Sequence, residues 1–228
     1  MDPARPIPRR CVLLFARTAS QEARAKRLSR ARGLFALARR RVAAAAASLP
    51  GVDLLVAGPG GALLQRGGTF AERLENAFMD ARALGYEEIV AVPTDVPRLG
   101  RRQIAAAFRR LAAASAVLGP SPDGGAYLIG CRSDPTDLFS GVRWQTSWTF
   151  ADLAANAGAL ALLDPLEDVD RWADLPALAS GPDREIAGLV AALLRDPAFA
   201  EDFRRPAALL LADPLFNRPP PASPPAAS

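Results

Sequence analysis

The chain has 228 residues, half of them apolar, which is enough for one domain with a sizeable core. It has no histidine, and that excludes Ser-His-Asp and Cys-His catalysis and every histidine-ligated zinc site. The net charge is +4, from 28 basic and 24 acidic side chains, but outside residues 1–41 the arginines are mixed with acids, so no nucleic-acid surface is expected.

Residues 1–9 are rich in Pro and Arg and read as a disordered tail. CVLLFA (11–16) is an apolar run bounded by charge, the pattern of a strand buried on both faces. It is too short for a signal-peptide core or a membrane span. The two cysteines, Cys11 and Cys131, fall in apolar runs and are expected to be buried free thiols, which suits a reducing, cytoplasmic setting. A polar, basic loop follows, carrying Arg17, Arg24, Arg27 and Lys26, the single lysine beside 27 arginines. Those cations could hold the phosphates of a small ligand, or could simply solvate a helix face.

An Ala/Arg helix is predicted over about 31–48, stopped by LPG. VDLLVAG (52–58) reads as a second buried strand, followed by a GPGG turn and the short run ALLQ. TFAERLENAFMDARALG (69–85) is an amphipathic helix with Thr69 and Glu72 in capping-box spacing and Gly85 as its stop. EEIVAV (87–92), SAVLGP (115–120) and AYLIGC (126–131) read as further strands, with a helix between the first two. This alternation predicts an α/β fold: a Rossmann-type, mostly parallel sheet with helices on both faces. A helix near 149–157, a short strand ALALL and the acidic segment EDVDRWADL follow. The expected organisation is a main domain over 10–178, a helical extension over 179–216 and a Pro/Ala-rich disordered tail over 217–228.

Ligands of open α/β sheets bind beyond the carboxyl ends of the strands. Three acidic segments fall at such positions: Asp95 in PTDVPRL, Asp123 in SPDGGAY, and Asp168 with Asp170 in EDVD. Separated carboxylates at one sheet edge suit a divalent cation on a diphosphate. The prolines around Asp95 preset the direction of its side chain, and the glycines after Asp123 admit a close ligand. Each acid also has a plainer reading. Asp95 could cap a turn, DGG is a common turn, and EDVD could be a solvated loop or place Asp170 as a helix cap.

PTDVPRL, VLGPSPDGGAYLIG, WQTS (144–147) and EDVDRWADL, with QRGGTFAERLENAF upstream, resemble in this order a bacterial family of GT-A fold. Its members are glycosyltransferase-like, mostly uncharacterised, and related to the nucleotidyltransferases that build molybdenum and deazaflavin cofactors. The resemblance covers roughly residues 11–175. It implies a nucleotide-diphospho-sugar transferase-like fold, a nucleotide-sugar donor at the loop after the first strand, and Mg²⁺ or Mn²⁺ on its diphosphate.

By that resemblance Asp95, Asp168 and Asp170 would ligate metal, and Asp123 with Asp95 would form the catalytic pair. Arg17, Arg24, Arg27, Gln65, Thr94, Gly124, Gly125, Trp144 and Thr146 would contact substrate. The family's first loop usually carries a Pro-Gly turn and Lys-Thr-Arg-Leu. Here the stretch is RTASQEARAKRL, with Lys26 at the Thr position and no glycine. The expected activity is metal-dependent glycosyl transfer from a nucleotide-sugar to an unknown small acceptor. The alternatives are nucleotidyl transfer to a small phosphorylated acceptor, or a non-catalytic nucleotide-binding scaffold.

Overall fold

A computed structural model of the chain describes residues 9–132 and 134–196. Of the tail read at 1–9, residues 1–8 lie outside the described residues, as do the tail read at 217–228 and the helical extension beyond 196; Arg9 is described and donates to Leu84 O at 2.7 Å.

Six strands form one sheet: β1 (Arg10–Phe15), β2 (Val52–Ala57), β3 (Glu88–Val92), β4 (Ala116–Pro120), β5 (Ala126–Cys131) and β6 (Leu160–Leu162). Their order is β2-β1-β3-β5-β4-β6. β1 is parallel to β2 and β3, and β4 is parallel to β6. β5 is antiparallel to both its neighbours. Five strands therefore run one way and β5 alone runs back. The strand sequences are mostly apolar, and such runs predict burial well but say nothing of direction. The reversal follows from the short SPDGG connection, which is long enough for a hairpin and too short for a parallel crossover.

The helices are α1 (Ala19–Ala25), α2 (Arg32–Ala47), α3 (Phe70–Ala83), α4 (Arg101–Leu111), α5 (Thr136–Phe139), α6 (Thr149–Asn156), α7 (Leu175–Ala179) and α8 (Arg184–Leu194). Period-two alternation sends Cys11, Leu13, Ile89 and Ala91 to one face of the sheet, where α3, α5 and α6 pack. Val12, Leu14, Val90 and Val92 face α2 and α4 on the other. A third apolar cluster lies on the outer side of α2, where Leu34, Phe35 and Leu37 meet Leu175 and Leu178 of α7 and Ile186 and Val190 of α8.

Two local expectations are corrected. The basic loop after β1 contains helix α1, because Thr18 and Gln21 form a reciprocal capping box. β2 is not buried on both faces; it is an edge strand, and Val52, Leu54 and Val56 stay partly exposed. The α3 capping box of Thr69 and Glu72 is present as expected. Both cysteines are buried thiols, and burial pushes each up to about 12, so neither is a nucleophile near neutral pH. Among the described residues no helix is long and apolar enough to cross a membrane.

Candidate functional site

The carboxyl ends of β1, β3 and β4 open into a cleft of about 650 Å³. Its floor is the Pro93–Val96 turn after β3, where Thr94 is buried and Asp95 is partly exposed. The backbone carbonyl of Asp95 accepts from Val169 N at 2.9 Å. That single bond draws the segment after β6 across the end of β3. Leu166 N donates to Pro120 O at 3.2 Å, and the Tyr127 hydroxyl donates to Asp164 O at 2.9 Å, so the same segment is fastened at three points. As a result Asp95, Asp168 and Asp170, up to 75 positions apart in the chain, bring carboxylate oxygens within 4.8 Å of one another.

Lys26 sits among these acids. It follows the last residue of α1, its Nζ lies 2.7 Å from Asp95 Oδ2, and it donates a hydrogen bond to Asp170 Oδ1. Its side chain is only 12% exposed. Burial acts to lower its pKa, but the charges and hydrogen bonds of Asp95 and Asp170 outweigh burial and hold the ammonium charged. Burial first, then the charges of Asp170, Asp95 and Asp123, push Asp168 up to about 7, with Lys26 pulling the other way. Glu22 of α1 is a further buried acid in this cleft, raised by burial and then by Asp95, and opposed by Lys26 and Arg17. The site therefore holds more carboxylates than cations.

Asp123 lies in the turn joining β4 to β5. Its Oδ1 accepts from Gly125 N at 2.9 Å, and Ser121 N donates to Gly125 O at 3.0 Å. Gly124 has φ +89°, and a Cβ there would stand 2.1 Å from Ser147 O. Only glycine lets this turn pack so tightly against residues 147–150. Trp144 packs against Phe70 and Phe139, with ring centroids 5.5 and 5.1 Å away, and forms an aromatic wall. The Thr146 hydroxyl donates to Arg143 O at 2.7 Å and accepts from Trp148 N at 3.2 Å, so it orders the loop that carries that wall.

A second, more open cleft of about 830 Å³ adjoins the first and shares Arg17, Gln65 and Arg73 with it. Arg24 and Arg66 line it, as does the glycine-rich turn 58–61. Gly58, at φ +143°, lets that turn approach Ala16 so closely that a Cβ would meet its carbonyl oxygen at 2.0 Å. The Gln65 amide nitrogen donates to Ala16 O and Ala57 O at 3.1 and 2.9 Å and ties the ends of β1 and β2 together. Its NH₂ group is thus committed to the backbone.

Of the residues named from sequence, Arg17, Gln65, Thr94, Asp95, Asp123, Gly125, Trp144, Thr146, Asp168 and Asp170 line the main cleft. Arg24 lines only the second cleft. Arg27 and Gly124 line neither; Arg27 is exposed with φ +56°, and Gly124 packs against Ser147 and accepts from Phe150 N at 2.9 Å. Asp170 does not cap the 3₁₀ turn that follows at Trp172–Asp174; its N-cap is Arg171, and the Asp174 side chain reaches back to accept from Asp170 N and Arg171 N at 2.9 and 2.8 Å. Sequence reasoning missed Glu22 and the place of Lys26. The Thr18–Gln21 capping spacing was the available signal, because a helix there puts both residues on the side facing Asp95.

Residues 23–146 match the family described as "Uncharacterized protein conserved in bacteria (DUF2064)". The chain belongs to this family. No curated protein matches it. Among solved structures it is similar to a candidate nucleotide-diphospho-sugar transferase from Desulfovibrio desulfuricans G20. The identity is 23%, the TM-score 0.68, and the match covers 86% of this chain and 99% of that one. Looser similarity extends to 2-C-methyl-D-erythritol 4-phosphate cytidylyltransferase from Thermus thermophilus. There the identity is 14% and the TM-score 0.42, over 83% of this chain and 100% of that one. Glucosyl-3-phosphoglycerate synthase from Mycobacterium tuberculosis, solved with Mn²⁺, UDP and its glucosylated product, matches at 12% identity and a TM-score of 0.41, over 82% and 79% of the two chains. The fold of this DUF2064 chain is that of the nucleotide-diphospho-sugar transferases.

Proposed function

We propose that the paired clefts bind a nucleotide-sugar together with Mg²⁺ or Mn²⁺ and transfer its glycosyl group to a small acceptor. The observation that carries this reading is the meeting of Asp95, Asp168 and Asp170 next to an arginine-lined, glycine-walled cleft. Neither half alone argues for a phosphate ester. Together they offer hard oxygen ligands on one side and phosphate contacts on the other.

The donor set fits a divalent cation. Three carboxylates within 4.8 Å of one another supply only oxygens, the hard ligands that Mg²⁺ and Mn²⁺ prefer. Asp95, Asp168 and Asp170 would hold it, and when bound it neutralises charge on the leaving diphosphate. Arg17 and Arg73, which border both clefts, would bind the phosphates and orient the donor. Asp123 has one oxygen engaged by Gly125 N, which fixes the carboxylate and leaves the other oxygen to accept the acceptor's hydroxyl proton. Trp144 and Phe70 would wall the sugar from water.

A thermal-shift panel tests this reading. Nucleoside diphosphates, triphosphates and nucleotide-sugars are each tried with and without Mg²⁺ or Mn²⁺. A metal-dependent rise in Tm with one nucleotide-sugar is the expected result, since a ligand of the native state must stabilise it. No rise with any nucleotide would sink the assignment and favour a non-catalytic scaffold. Nucleotidyl transfer is the second reading, favoured by the four arginines (17, 24, 66 and 73) around the open cleft, which suit a triphosphate. Release of pyrophosphate rather than a nucleoside diphosphate would select it.

A further inference from the structure

We propose that Lys26 is a tethered counter-ion that keeps the metal's place in the carboxylate cage, so that a divalent cation enters only by displacing it. This rests on the metal-assisted reading above and adds a residue that controls metal entry.

The geometry leaves one position for two cations. The Lys26 ammonium lies 2.7 Å from Asp95 Oδ2 and donates to Asp170 Oδ1. Those two residues also belong to the group whose oxygens converge within 4.8 Å. A divalent ion bonded to the same oxygens at about 2.1 Å would sit nearly against the ammonium nitrogen. Like charges at that separation repel strongly in a partly buried site. One must leave, and only the lysine is attached.

The chain is built to let it leave. Lys26 is the C-cap of α1: its N–H donates to Glu22 O at 3.0 Å, the next N–H, of Arg27, donates to Arg24 O at 3.1 Å, and buried Leu28 anchors the next turn. The four-carbon stem above that fixed point is flexible, and its head is a compact point charge. Twenty-seven of the chain's 28 basic side chains are arginine, yet the one in the cage is the lysine. A planar guanidinium at this position would bind the carboxylates two at a time and release them less readily. The displaced ammonium stays in the same cleft as Arg17 and Arg73, where a donor's diphosphate would receive it. Metal and donor then depend on each other: the donor's phosphates take up the lysine that the metal expels.

Mn²⁺ binding tests this directly. The full chain is titrated with Mn²⁺ alone, and the free ion is counted by electron paramagnetic resonance, for the wild type, Lys26→Met and Lys26→Met/Asp95→Asn. Removing a competitor tethered at a millimolar effective concentration should tighten Mn²⁺ binding by about tenfold in Lys26→Met. The added Asp95→Asn change should abolish that gain, which ties it to this cage. Unchanged or weaker Mn²⁺ binding in Lys26→Met overturns the proposal.

The wild type supplies a second measurement that needs no variant. Because Lys26 is the only lysine, ¹⁵N-lysine labelling gives a single side-chain ammonium resonance. Saturating Mg²⁺ should move that resonance and speed its proton exchange. A resonance that stays in place while Mg²⁺ saturates the protein also overturns the proposal. Failure here is separable from failure of the functional reading. If a nucleotide-sugar still raises Tm only with metal, the transferase reading stands and the lysine has another role.

Discussion

Strand β3 has a buried acid at its start and a partly buried acid just beyond its end, and the two are treated in opposite ways. Glu88, at the amino end, is 1% exposed and is met by two arginines, Arg10 at 2.8 Å and Arg132 at 3.6 Å. Asp95, beyond the carboxyl end, shares one lysine with Asp170 and has Asp168 and Glu22 close by. One end of the sheet is electrically satisfied, and the other is left with excess negative charge. A charge surplus gives the fold nothing that apolar residues would not give better. The balanced end therefore reads as structure, and the unbalanced end is where the proposed function puts its cation.

Substitutions at the two acids should separate these roles. Glu88→Ala strands two partly buried guanidinium groups and should cost about 3 kcal/mol, lowering Tm by roughly 6–12 °C. Nucleotide binding by the protein that remains folded should be unaffected. Asp95→Asn should do the reverse: Tm without ligand should change by less than about 1 kcal/mol equivalent, while metal-dependent donor binding weakens at least about tenfold by calorimetry. If Asp95→Asn destabilises as much as Glu88→Ala, the contrast is false and Asp95 is a structural cap.

Smaller effects sharpen the picture. Arg73→Ala removes a phosphate contact shared by both clefts and should weaken the donor by about fivefold, near 1 kcal/mol, with or without metal. Arg24→Ala, which touches the open cleft alone, should matter only if the nucleotide extends there. A third acid, Asp183, is paired by Arg41 at 2.5 and 2.9 Å but is much more exposed than Glu88. The Arg41 hydrogen bonds lower its carboxyl to about 2, below an unfolded value of about 3.9. Its contribution is therefore complete above about pH 4 and is lost as pH falls through about 2. Asp183→Asn keeps an oxygen for the Ile186 N cap at 3.1 Å and removes only the charge. Urea unfolding should show a difference below about 1 kcal/mol at pH 5 that disappears near pH 2.

Much of the fold was legible in particular residues. The runs CVLLF and EIVAV read as strands because nearly every side chain is apolar, and both are buried on two faces. Thr69, Glu72 and Gly85 marked the ends of a helix through hydrogen bonds that span only a few positions. Edge position was not legible in VDLLVA, whose composition suits a central strand equally well. Helix α1 was masked by its charge, although Thr18 and Gln21 carried its capping signal. Asp95, Asp123, Asp168 and Asp170 were found one at a time as acids at strand ends. That the first, third and fourth converge could not be read from spacing.

What the sequence determined by itself was local: which runs are buried, which residues cap helices, and which acids follow strands. Those properties depend on contacts across a few positions and on side-chain polarity, so the order of residues suffices. Only the tertiary structure decided the place of β5 between β3 and β4, the place of β2 at the edge, and the meeting of Lys26 with Asp95 and Asp170. Each depends on a long-range hydrogen bond or on sheet order, such as Val169 N to Asp95 O across 74 positions. A charge excess is a property of a small volume, and only folding brings those charges into one.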